Sequence, residues 1–89
     1  MTRYRAEPAD QILREPLGAI DALYHRRSGE THLVAAPVPQ ILEALGEGPS
    51  DVAALLARLA ARFEIEGDAA ALEAHLAELV ALGLVHRGG

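Results

Sequence analysis

Residues Ala19–Val34 read AIDALYHRRSGETHLV, and the reading of this stretch decides the fold. A first arm from Ala19 to His25 favours β structure around Ile20, Leu23 and Tyr24. Arg27-Ser28-Gly29-Glu30 then supplies a turn, with Gly29 able to take the positive φ that a tight reversal needs. The second arm is Thr31-His32-Leu33-Val34, which ends before Pro37 and carries the β-branched Thr31 and Val34. Strand alternation sends His32 and Leu33 to opposite sides of this arm. The apolar Leu33 is therefore expected in the core, so that Leu33→Asp would unfold or greatly weaken the domain, and His32 is expected to face away from it. The second arm is also an exposed edge, able to accept another strand.

Working outward, residues 1–18 hold Pro8 and Pro16. Tyr4-Arg5-Ala6 and Gln11–Glu15 read as short strands, with Leu13 and Leu17 as packing points. Downstream the pattern turns helical. Pro37 suits a first turn, where its missing N–H costs nothing. Val38, Ile41, Leu42 and Leu45 then fall on one buried face, and Gly46 and Gly48 stop the helix. Ser50 reads as the N-cap of a second helix, with Asp51 at its positive end. Its stripe is Val52, Leu55, Leu56, Leu59, Ala60 and Phe63, with Arg58 and Arg62 on the other side. Gly67-Asp68 opens a third helix whose stripe is Leu72, Leu76, Leu79 and Val80, with Glu73 and Glu78 outward. Gly83 stops it, Leu84 folds back onto Leu79, and Leu84-Val85-His86 reads as a final short strand. The fold class expected is α+β: a short N-terminal antiparallel sheet followed by three helices, winged-helix-like.

With 89 residues the chain reads as one domain, 1–89, large enough for one core but not for a core and a deep catalytic cavity. Tyr4, Tyr24 and Phe63 are its only aromatics and are expected to anchor the packing. The net charge of −5 is uneven. Residues 1–36 balance, whereas residues 37–89 set Arg58, Arg62 and Arg87 against eight carboxylates. An acidic helical half repels phosphate backbones. All eight basic residues are Arg, which with the high Ala content reads as a GC-rich coding sequence. The absence of Cys excludes disulfides, thiolate zinc sites and thiol nucleophiles. No stretch has the length or apolarity of a membrane span or a signal segment, so the chain reads as soluble and cytoplasmic.

Few residues offer chemistry. His25 and His32 lie on opposite arms of the hairpin and, with His75 or His86, would make a zinc set; ordinary surface or hydrogen-bonded histidine is the plainer reading. Ser28 beside His25 and His32 invites comparison with a hydrolytic triad, but a solvated turn offers neither a rigid base nor an oxyanion hole. Gly46-Glu47-Gly48 lacks the lysine of a phosphate loop. The remaining carboxylates read as a solvated helical face. The chain therefore reads as non-catalytic, with no cofactor and no metal.

The ordered set SGETHLV, PVPQILEAL, GEGPS, DVAALLARLAARF and LEAHLAELVALGLV resembles the PqqD family of bacterial peptide chaperones, the winged-helix RiPP recognition elements. The resemblance runs from about Tyr4 to Val85, and LYHRRSGETHL is most similar to a PqqD-like subgroup associated with an HPr-kinase-related protein. It implies that the domain captures the leader segment of a ribosomally made precursor peptide and presents it to a modifying enzyme. The leader would add as a strand to Thr31, His32, Leu33 and Val34. Its apolar side chains would enter a groove walled by the third helix, at Leu72, His75, Leu76 and Leu79. The partners implied are the precursor peptide and a peptide-modifying enzyme or HPr-kinase-related protein. No nucleic acid or membrane is expected, and the protein would be a monomer or a domain-swapped homodimer. Two other readings remain: a winged-helix DNA-binding transcriptional regulator reading DNA with Asp68–Leu82 and touching phosphate with Arg26 and Arg27, and an adaptor that docks a kinase-like partner through its acidic helices.

Overall fold

The computed structural model describes residues 2–65 and 67–88. The order of elements is β1 (Arg3–Ala6), a single 3₁₀ turn (Ala9–Gln11), β2 (Ile12–Pro16), β3 (Ile20–His25), β4 (Glu30–Ala35), α1 (Val38–Leu45), α2 (Val52–Phe63), α3 (Ala69–Ala81) and β5 (Val85–Gly88). This is an α+β fold, with antiparallel strands first, then three helices and a closing strand. β2, β3 and β4 form an antiparallel meander, while β1 pairs with β5. The N-terminal segment is therefore fully engaged, and it lies against β5 rather than along β4.

The hairpin forms where its sequence placed it, with one shift. The turn occupies Arg26–Gly29, and Glu30 already belongs to β4, paired with His25. Gly29 takes a φ of +75°, where a side chain would be strained.

Register then assigns the two faces of the meander. Tyr24 opposes Leu13 on one side and Thr31 on the other, and Ala22 opposes Glu15 and Leu33. These residues, with Leu17 and Ile20, make the outer face. Leu23 opposes Arg14 and His32, and Asp21 opposes Pro16 and Val34; these make the inner face. Leu23 is 1 % exposed and packs in the core cluster with Ile41, Leu45, Leu55 and Leu76.

Two expectations fail here for one reason. Leu33 is 66 % exposed rather than core, and His32 is the half-buried residue that faces inward. The parity of β4 is set by its pairing with β3, whose Asp21, Leu23 and His25 are all buried. Hydrophobicity within the four residues of the second arm is outvoted by that register. Tyr24 shares the outer face and is 39 % exposed, so of the three aromatics it is not a core anchor.

The helices follow their caps. Asp51, not Ser50, caps α2, its carboxylate accepting the Ala54 N–H at 2.8 Å. Ser50 instead exchanges backbone hydrogen bonds with Tyr4, at 2.8 and 2.9 Å. In the α2 stripe Leu55 and Leu59 are buried, whereas Ala60 is exposed. Asp68 caps α3 through the Ala71 N–H at 2.7 Å. The end of α3 closes with two bonds, Gly83 N–H to Val80 O and Leu84 N–H to Leu79 O, and Gly83 at φ +79° makes that reversal. Arg58 reaches back from α2 to donate to the Ala44 and Gly48 carbonyls at the end of α1. Arg62 pairs with Glu43 and Glu47, so two arginines tie the first pair of helices together. The radius of gyration is 12.2 Å, close to the roughly 12 Å of one compact unit of this length.

Candidate functional site

Among the described residues β4 has no neighbour beyond β3, and the register says which of its backbone groups are left over. The bonds Arg26 N–H to Gln11 O and Leu17 N–H to Ile20 O fix the parity of the β2–β3 ladder. Bonding to β2 thus falls to Ile20, Ala22 and Tyr24, so Asp21, Leu23 and His25 point their backbone groups at β4. Their partners are Val34, His32 and Glu30. The N–H and C=O groups of Thr31, Leu33 and Ala35 then point to the open edge, and none of them finds a partner among the described residues.

The opposite edge of the meander is different. By the same parity β2 turns Ile12, Arg14 and Pro16 outward. The Ile12 N–H is already bonded to Ala9 O, and Pro16 has no N–H. Proline at an edge is a standard block to further pairing. One edge of this sheet is open and the other is blunted.

The α3 residues expected to wall a groove divide into two kinds. Leu76 and Leu79 are 0 % and 2 % exposed and are closed into the core, leaving no surface for a ligand. Leu72, itself a core residue only 4 % exposed, and the half-buried His75 line a cavity of about 110 Å³ between the helices, with Pro37, Ile41, Leu56, Leu59 and Ile65. No residue of β4 lines it, but Pro37, two residues after the strand, does. Strand and helix residues are thus not brought into one continuous groove. A larger concavity of about 510 Å³ lies beneath the inner sheet face, between β1, β2 and α1.

The histidines do not gather around a metal position. His25 and His32 share the inner face but are not opposite each other, since His25 pairs with Glu30 and His32 with Leu23. Among the described residues, no group of three His, Asp or Glu side chains is placed to hold a metal ion. His32 Nε2 is enclosed without a hydrogen-bond partner.

His25 belongs instead to a buried cluster that local sequence reading missed. The Glu7 carboxylate is enclosed and meets His25 Nε2 at 2.6 Å, His86 Nε2 at 2.7 Å and Arg27 Nε at 3.3 Å. Burial pushes the Glu7 carboxyl up, but the hydrogen bonds from His86 and His25 and the charge of Arg27 outweigh it and hold it below its ordinary value. With Glu7 ionised, His25 Nε2 donates to it, and in the neutral ring Nδ1 accepts the Ser28 hydroxyl at 3.0 Å. The order Ser28–His25–Glu7 is that of a hydrolytic triad. Here, however, the hydroxyl sits on the exposed turn and itself receives the Glu30 N–H, so the array acts as a clamp on the hairpin. Glu7 had no local signal, because its histidine partners lie 18 and 79 positions away.

Compared with family models, with curated proteins and with solved structures, the chain finds no match. Among the described residues no helix is long and apolar enough to cross a membrane.

Proposed function

We propose that this domain binds an extended peptide by strand addition at β4, as a PqqD-like recognition element would bind the leader of a ribosomally made precursor, and hands it to a modifying enzyme. The observation that supports this most is the asymmetry of the sheet edges. Thr31, Leu33 and Ala35 present unpaired backbone groups along β4, while Pro16 blunts β2. Main-chain bonding of this kind gives affinity for many sequences, and alternate side chains give selection.

Selection follows from what flanks the edge. On one side the added strand would lie next to Thr31, Leu33 and Ala35 and continue the outer face. On the other it would lie next to His32 and Val34, with its end directed past Pro37 toward the cavity that Leu72 and His75 line. That cavity has room for one medium apolar side chain. Duplex DNA is disfavoured by the exposed Glu73 and Glu78 of α3, a helix without a single Lys or Arg.

The test is an amide-shift titration of the labelled protein with a candidate leader peptide, with duplex DNA as the comparison. Shifts concentrated at Thr31–Ala35, Leu72 and His75 are expected with peptide. Shifts at Arg26, Arg27 and α3 with DNA alone would replace this reading by a regulator.

A further inference from the structure

We infer that the outer face of the β2–β3–β4 sheet joins two copies of this chain in a two-fold dimer, leaving the β4 edge open. Leu13, Leu17, Ile20, Tyr24 and Leu33 all stand on that face, at 56, 53, 38, 39 and 66 % exposure. Among the described residues these are every large apolar side chain of the meander that the core does not take, and with Leu82 they make up the exposed set. At those exposures they form a patch of about 400 Å², the size of the largest apolar patch on a typical monomer, which is often functional.

The charges on the face say what covers it. Among the described residues two charges accompany the apolar ones: Glu15 on β2, opposite Ala22, and Arg26 at the hairpin end, whose N–H bonds Gln11 O and so continues the parity of Tyr24. Every ion pair of β2 and the turn involves other residues: Arg14 with Asp21 and Glu43, and Arg27 with Glu7. Among the described residues Glu15 and Arg26 thus have no ion partner: two charges of opposite sign, four residues apart along the ladder on one apolar surface. In a two-fold interface, residue i meets residue j and j meets i. A second copy turned about an axis across the strands brings Glu15 of each to Arg26 of the other, and Tyr24 to Tyr24 at the centre. The face is thus complementary to itself in charge.

The experiment is sedimentation velocity on the full chain from low to high micromolar concentration, with far-UV circular dichroism to confirm folding of each variant. The wild type is expected to dimerise. Tyr24→Glu is expected to be folded and monomeric. Glu15→Arg sets arginine against Arg26 and is expected to weaken the dimer about tenfold. The double change Glu15→Arg with Arg26→Glu is expected to recover it, which a general loss of packing would not do. A wild type that stays monomeric overturns the inference. So does a dimer that survives Tyr24→Glu, or one in which the charge exchange fails to recover what the single change lost. A dimer abolished by Thr31→Pro and untouched by Tyr24→Glu would mean pairing through the β4 edge, and would overturn it equally. None of these readouts involves peptide, so failure here is separate from failure of the edge as a peptide site.

Discussion

Glu7 and His86 are 79 positions apart in the chain and meet at 2.7 Å, the carboxylate of one end closing on the imidazole of the other. Between them His25 and Arg27 bring in the hairpin, so one buried charge joins the N-terminal strand, the turn and the C-terminal strand. Because the folded state holds the Glu7 carboxyl below its ordinary 4.5, the carboxylate contributes stability that is complete above that value. The contribution is lost as pH falls through the lower folded value. Urea denaturation as a function of pH should therefore show stability declining below about 4.5 in the wild type. Glu7→Gln should be weaker at neutral pH and should show less of that decline. Equal slopes in the two proteins would remove Glu7 from the account.

Leu33 and Leu23 give opposite outcomes although both are leucines of one hairpin. Leu33→Asp acts on a side chain 66 % exposed and should change the unfolding free energy of the monomer by no more than about 0.5 kcal/mol. Leu23→Ala opens a hole at a fully buried position and should cost about 2–5 kcal/mol. Denaturant titration of the two variants at low concentration checks both.

Proline separates the two sides of β4. The Leu33 N–H faces the open edge, so Leu33→Pro removes a donor that the fold does not use and should abolish peptide-induced amide shifts while the spectrum stays dispersed. The His32 N–H faces β3, so His32→Pro breaks the ladder and should cost the sheet its stability. An outward-facing His32 would have made His32→Pro the harmless block; the register reverses that assignment.

Gly83 closes α3 at φ +79° and lies against the hairpin, where a Cβ would come 3.4 Å from His25 Cε1. That contact is ordinary, so the cost of Gly83→Ala is backbone strain of about 1–2 kcal/mol. A calorimetric melt should show a lowered Tm with an unchanged fold. Asp51→Ala and Asp68→Ala each remove a helix cap and should cost about 1 kcal/mol.

Much of this architecture was legible in the residues. The hairpin, the three helices, the Asp68 cap and the Gly83 stop all rest on local chemistry: β-branched arms about a glycine turn, leucines at helical spacing, a carboxylate just before a helix, a glycine just after it. The site was legible only as a segment. Thr31–Val34 was found as an exposed edge, but which of its residues faces the core depends on a register set by β3. The α3 residues read as an apolar stripe, but a stripe does not say which leucines the core consumes, and Leu72, Leu76 and Leu79 are all buried in it, Leu72 alone of the three also lining the cavity.

By itself, then, the sequence determined the elements, their order and the hairpin at their head, because each is fixed by interactions within a few residues. Tertiary structure alone decided that His32 turns inward and Leu33 outward, that Pro16 blunts one edge while the other stays open, and that Glu7 gathers His25, Arg27 and His86. Each of these depends on which distant backbone or side chain arrives alongside. Strand parity and buried charge are settled by partners far along the chain, and no local pattern carries them.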